Sequence, residues 1–143
     1  MNKDTTELME ILKNTDSGGL ENYQKKYLSS TAPDFYRFTD EIIKRKKLKR
    51  QDIIIKADMP QKYGYKLLSG EAHTTDRDKI IRLCLAMEMT LEETQTALKL
   101  YGMSALYPKI KRDAVIIVAI THRILWVDDV NDLLVQEKEQ PLG

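Results

Sequence analysis

The chain has 143 residues, 42% of them hydrophobic and 31% charged, with four prolines and a net charge of +1; this is enough for one domain with its own core, or a small domain with an extension, and it reads as soluble, globular and helix-rich. No apolar run approaches the roughly 18 residues of a membrane span, and no secretory leader is expected, because MNKDTTELMEILK mixes its charges instead of passing from basic to apolar. The one cysteine, Cys84, cannot form an internal disulfide and sits between Leu83 and Leu85, so a buried thiol and a cytoplasmic protein are expected.

Residues 4 to 13 predict a short helix with Leu8, Ile11 and Leu12 on one face, capped by Asp4 or Thr5. NTDSGG (Asn14 to Gly19) is a joint, and Leu20, Tyr23, Tyr27 and Leu28 carry a helical spacing up to the loop SSTAP. Asp34 opens the next helix, whose inner face is Phe35, Phe38, Ile42 and Ile43 and which ends near Lys46. The run KRKKLKR (Lys44 to Arg50) follows: residues 34 to 75 hold ten Lys and Arg against six Asp and Glu, whereas residues 123 to 143 hold two against five. A localised basic excess is the footprint that a phosphate backbone selects, although a solvated helix end produces the same run.

Leu48 to Gly70, LKRQDIIIKADMPQKYGYKLLSG, is the most informative stretch. Arg50 to Ala57 places Ile53, Ile54 and Ala57 on one stripe, and Asp58 and Met59 break the helix, Asp tolerating the left-handed conformation of a sharp turn. Pro60 suits the first turn of a second helix. Met59, Tyr63, Leu67 and Leu68 form its inner side, while Gln61, Lys62, Tyr65 and Lys66 point elsewhere with groups that bond base edges and phosphates. Ser69 and Gly70 end it. On these residues the chain resembles the phage-repressor-like helix-turn-helix family (the lambda and Cro, or XRE, group) from about Phe38 to Leu98. It departs from the family at Arg50 (often Gln, here Gln51 beside it), Asp58 (Gly), Ile54 (Ala), Gly64 (Ile or Val) and Leu67-Leu68-Ser69-Gly70 (Ile-x-Asn-Gly). Ile54 and Gly64 face each other in the family fold, so the pair reads as an exchange of volumes that keeps the core filled. A Gly within a reading helix also costs about 1 kcal/mol of propensity.

Further on, Thr75 or Asp76 is a candidate cap for Arg77 to Met87, packed with Ile80, Ile81, Leu83, Cys84 and Met87, and Thr90 caps a helix that carries Glu92 and Glu93 in its first turn and stops at Gly102. Arg112 to Arg123 and Val127 to Glu137 form a second helical pair; the β-branched run Val115 to Val118 also permits a buried strand, but no partner strand is evident. Arg77-Asp78 precedes Arg112-Asp113 by 35 residues and LEETQTAL precedes VDDVNDLL by 36, an echo that duplication or the general likeness of amphipathic hairpins explains equally well. With Tyr63-Gly64-Tyr65, Leu106-Tyr107-Pro108-Lys109, Arg112-Asp113 and Asn131, the chain is similar over nearly its full length to a group of uncharacterised helix-turn-helix proteins of low-GC Gram-positive bacteria. That resemblance casts Tyr63 to Tyr65 as part of a shared pattern and tilts toward a fixed partner or a structural role.

No catalytic constellation is visible. His73 and His122 lack ligand-spaced partners, Asp128, Asp129 and Asp132 lack a calcium-loop pattern, and no phosphate-binding Gly loop occurs. The expected architecture is all-α: an N-terminal helical arm (1–33), a five-helix phage-repressor-like domain (34–102) and a C-terminal helical hairpin (103–143) extending the bundle. The expected function is sequence-specific, non-catalytic DNA binding without cofactor or metal. Lys46, Lys47, Lys49 and Lys56 would contact phosphates beside Arg50 and Gln51, and Gln61, Lys62, Tyr65 and Lys66 would face the major groove of double-stranded DNA as a homodimer. The rival expectation keeps the fold as a protein-interaction module, a signalling adaptor or mobile-element inhibitor, engaging its partner through the arm or the hairpin.

Overall fold

A computed structural model describes residues 32–143, and the two arm helices expected at 4–13 and 20–28 lie outside the described residues. The described chain is all-helical: α1 (Pro33–Arg45), α2 (Arg50–Lys56), α3 (Gln61–Ser69), α4 (Arg77–Ala86), α5 (Leu91–Leu100), α6 (Lys111–Thr121) and α7 (Val127–Gln136), with no strand among the described residues. Val115 to Val118 are therefore helical, and with α7 as their neighbour they need no ladder.

The helix starts follow local chemistry. Pro33 and Asp34 occupy the first turn of α1 and Lys44 and Arg45 its last, each complementing the helix dipole. Asp76 accepts from the Asp78 N–H at 3.0 Å to cap α4. Thr90 and Glu93 close a full capping box on α5, with Glu93 N–H to Thr90 Oγ1 at 3.2 Å and Thr90 N–H to Glu93 Oε1 at 2.9 Å.

The helix ends follow one rule that composition hides. Gly70 (φ 92) stops α3, and after α1, α2, α4, α5, α6 and α7 the chain also turns through a left-handed residue: Lys47 (φ 55), Asp58 (φ 56), Glu88 (φ 55), Gly102 (φ 80), Arg123 (φ 59) and Lys138 (φ 61). In those six the next N–H reaches back to a carbonyl five residues earlier, as in Leu48 to Ile43 (2.9 Å), Met89 to Cys84 (3.1 Å) and Ile124 to Ala119 (2.8 Å). Left-handed backbone at a non-glycine residue costs about 1 kcal/mol. The apolar residue that follows, Leu48, Met59, Met89 or Ile124, packs on the core and offsets that cost.

Packing joins α1 to α5, α2 to α3 and α4, α4 to α5 and α7, α5 to α6, and α6 to α7. One apolar cluster runs from Ala32 to Leu142 and includes Cys84, whose thiol burial pushes up to about 12. The expected inner face of α1 holds, with Tyr36 as an addition: it is buried, edge-on to Phe35, and donates its hydroxyl to Leu67 O at 3.2 Å.

The sequence echo has a structural counterpart. Arg77 grips Asp113 through two bonds (2.7 and 3.1 Å), and Arg112 grips Asp78 through two (2.8 and 2.9 Å). Exchanging α4–α5 with α6–α7 turns each of these pairs into the other, and turns the α4·α7 contact into α5·α6. The left-handed stops correspond too, Glu88 with Arg123 and Gly102 with Lys138. The two hairpins are thus related by an approximate two-fold exchange.

Candidate nucleic-acid interface

Residues Arg50 to Gly70 form two helices packed on each other across a turn from Ala57 to Pro60. Asp58 is the left-handed residue of that turn, and Met59 N–H bonds Ile54 O at 3.3 Å. Pro60 precedes α3 at its cap, with φ −55 and ψ 134, one position before the expected first helical turn. From α4, Arg82 donates to Asp58 O at 3.0 Å and to Leu142 O at 2.8 Å, so one partly buried guanidinium ties the turn to the C-terminal segment.

The volume exchange between Ile54 and Gly64 is present: a Cβ on Gly64 would lie 2.6 Å from Ile54 Cγ2. Gly64, Leu67 and Leu68 are buried and Tyr63 packs against them, while Gln61, Lys62, Tyr65 and Lys66 are exposed on the opposite arc of α3. The first backbone bond of α3 is Gly64 N–H to Pro60 O, and no side chain caps the helix, so its leading N–H groups face outward. No described residue covers this arc; the C-terminal segment instead bonds Arg82, Arg112 and Asp78.

The basic flank divides in two. Lys47, Lys49 and Gln51 are exposed. Lys46, Arg50 and Lys56 have internal partners: Lys46 Nζ bonds Glu93 Oε1 at 2.8 Å and Glu88 O at 2.7 Å, Arg50 pairs with Asp40 at 2.7 Å, and Lys56 lies 3.3 Å from Glu88 Oε2. Arg45 also pairs with Glu93. Burial raises the Glu93 carboxyl, but its bonds from Lys46 and the Thr90 N–H outweigh that and hold it below the usual carboxylate range. Lys56 also sits 5.0 Å over the ring of Trp126, a cation–π contact. With Lys47, Lys49 and Ile55 these two residues line a groove of about 390 Å³. Ile55 is 64% exposed and Trp126 54% exposed, so an apolar floor here is rimmed by these lysines together with the acidic Asp52 and Glu88.

Sequence reasoning missed Arg82, Ile55 and the Lys56–Trp126 contact. Ile55 left a signal, an aliphatic residue off the stripe of Ile53, Ile54 and Ala57, and so did Trp126, the one tryptophan of the sequence, which reads as a packing anchor or an interface residue. His73 is exposed and stacks on Tyr101 with ring centroids 5.1 Å apart. Among the described residues no group of three His, Cys, Asp or Glu could hold a metal ion, and no helix is long and apolar enough to cross a membrane. Compared with family models, curated proteins and solved structures, the chain matches none.

Proposed function

We propose that the protein is a cytoplasmic, sequence-specific DNA-binding regulator whose helix-turn-helix is α2–α3, on a phage-repressor-like core of α1 to α5 extended by the α6–α7 hairpin. The observation that carries this reading is the uncovered polar arc of α3, seated against α2 by Ile54 in the hollow at Gly64. Gln61, Lys62, Tyr65 and Lys66 read base edges, while the leading amides of α3 and the exposed Lys47, Lys49 and Gln51 meet phosphates. Lys46 serves chiefly to hold α1 to α5, Arg50 to hold α2 to α1, and Lys56 to hold α2 to the α4–α5 turn, because a cation already paired gains less from a phosphate. A single domain of this size binds weakly, so a homodimer spans two half-sites about one helical turn apart.

The test is a polarisation titration against fragments of the native genome at several salt concentrations. Replacing Lys62 and Lys66 by Ala is expected to weaken binding to the specific site by ~1–3 kcal/mol for each base that is no longer read. Lys47→Ala with Lys49→Ala is expected to weaken all sequences alike and flatten the salt dependence. Binding that is undetectable at low salt, or indifferent to salt, defeats the reading.

The groove of Ile55, Trp126 and Lys56 supports a second reading, a non-catalytic interaction module, because an exposed apolar floor suits an apolar protein segment better than a duplex. If Lys62→Ala and Lys66→Ala leave promoter occupancy unchanged while Trp126→Ala abolishes one stoichiometric protein partner, this second reading replaces the first.

A further inference from the structure

The helix that carries Gln61, Lys62, Tyr65 and Lys66 packs chiefly on α2, so the direction of α3 depends largely on what holds its two ends. At the far end Tyr36 donates its hydroxyl to Leu67 O at 3.2 Å. At the near end Arg82 holds the α2–α3 turn: one terminal nitrogen donates to Asp58 O at 3.0 Å and the other to Leu142 O at 2.8 Å. Asp58 is left-handed at φ 56, a conformation that a non-glycine residue keeps only with support. Among the described residues the bonds of Arg82 all go to backbone carbonyls, and its Nε is buried with no partner. A partly buried charge satisfied this sparely turns to water when one of its carbonyls leaves.

Leu142 O is placed by residues 140–143, which have no regular secondary structure and yet are bonded through the backbone at every position. Arg112 donates to Gln140 O at 2.9 Å and to Pro141 O at 3.0 Å, Asn131 Oδ1 accepts from Leu142 N–H at 2.7 Å, and Asp78 accepts from Gly143 N–H at 3.0 Å. The Leu142 side chain is buried. Asp78 and Arg82 stand four residues apart on one face of α4, so this helix grips the segment at two points and carries the second grip on to the turn. We propose that Arg82 is a positioning residue for α3 and that residues 140–143 are the strap that keeps it in place. With the strap seated, Asp58 O is fixed and α3 presents its polar arc in one orientation. With the strap lifted, Arg82 turns to water, the turn loosens, and discrimination between base sequences falls although no residue of α3 has changed. Only this last consequence rests on the regulator reading; the coupling of strap to turn does not.

Hydrogen exchange and DNA titration on the full chain test it with two variants and their combination. Arg82→Met keeps the aliphatic packing and loses the fork. Asn131→Ala with Leu142→Ala unseats the strap and leaves Arg82 in place, and a Leu142 amide exchanging at the unstructured rate is the expected sign of release. Each variant is expected to speed exchange of the Met59 amide, which bonds Ile54 O across the turn, by about tenfold while the amides of α5 keep their rates. Combining them is expected to add little, because both act through one guanidinium. Affinity for the specific DNA site is expected to fall about tenfold in each, with non-specific binding and its salt slope unchanged. A Met59 amide that keeps its native rate, effects that add in the combination, or acceleration that spreads equally to α5 overturns the proposal. So does a native chain that binds its specific site with an affinity indifferent to the strap variant. If the native chain binds no DNA while Met59 responds as expected, the regulator reading falls and the strap stands.

Discussion

Gly64 and Ile54 are meaningful only as a pair. A methyl group at position 64 meets Ile54 Cγ2 at 2.6 Å, a distance that a β-branched side chain inside a packed core cannot open without moving α2 off α3. Gly64→Ala improves intrinsic helix propensity by about 1 kcal/mol, but overpacking costs ~1–3 kcal/mol, and with Ile54 at 1% exposure the second effect prevails. The variant is expected to be less stable in urea denaturation. Adding Ile54→Ala, which removes both γ carbons, is expected to recover part of the loss, because two residues in contact do not act additively. Additive losses would mean that the two side chains do not oppose each other.

At the scale of the element, the helices are short and end abruptly. Five of the seven left-handed stops in the described chain are not glycine, so each of those turns is held by tertiary packing against local preference. Lys138, after α7, is exposed and sits at φ 61. Lys138→Gly is expected to raise stability by up to ~1 kcal/mol, read as a higher denaturation midpoint with an unchanged slope. The same change at Glu88 is expected to yield less, because it removes the partner of Lys56. The capping box of Thr90 and Glu93 does two jobs: it starts α5, and its carboxylate collects Arg45 and Lys46 from the end of α1. A helix start thereby becomes the joint between two helices.

The whole molecule is held across its two hairpins by the crossed pairs Arg77–Asp113 and Arg112–Asp78. Burial pushes the Asp78 carboxyl up, but the bonds from Arg112 and the Gly143 N–H outweigh it and leave it below the usual carboxylate range. The Asp78 contribution to stability is therefore complete above the unfolded value of about 4 and is lost as the pH falls through the folded one. Asp78→Asn is expected to be less stable at pH 7 and to show a shallower loss from about pH 5 to about pH 2 in denaturation curves. An equal acid loss in both proteins would remove Asp78 from the cause. Any change here is expected to reach the α2–α3 turn, because Arg82 holds both that turn and Leu142, which is buried at 2% exposure in the same corner.

Much of this was legible in the linear pattern. Apolar spacing located all seven described helices to within a residue or two, the Thr90–Glu93 box and the break at Asp58 were readable as caps and stops, and the two Arg-Asp dipeptides marked the repeat that the crossed ion pairs embody. The Ile54 and Gly64 exchange does not show in apolar spacing alone. The helices, caps and stops depend on residues within a turn or two of one another, where periodicity, capping and steric volume act. The linear pattern could not tell which cations of the basic run are already engaged, since Lys46, Arg50 and Lys56 find their acids ten to 47 residues away. Nor could it single out Arg82, or separate Val118 from Leu83, two aliphatic residues at equivalent places in two similar hairpins. Short-range sterics and hydrogen bonding determine each helix and its ends; charge pairing and burial depend on which distant surfaces meet, and only the tertiary structure decides that.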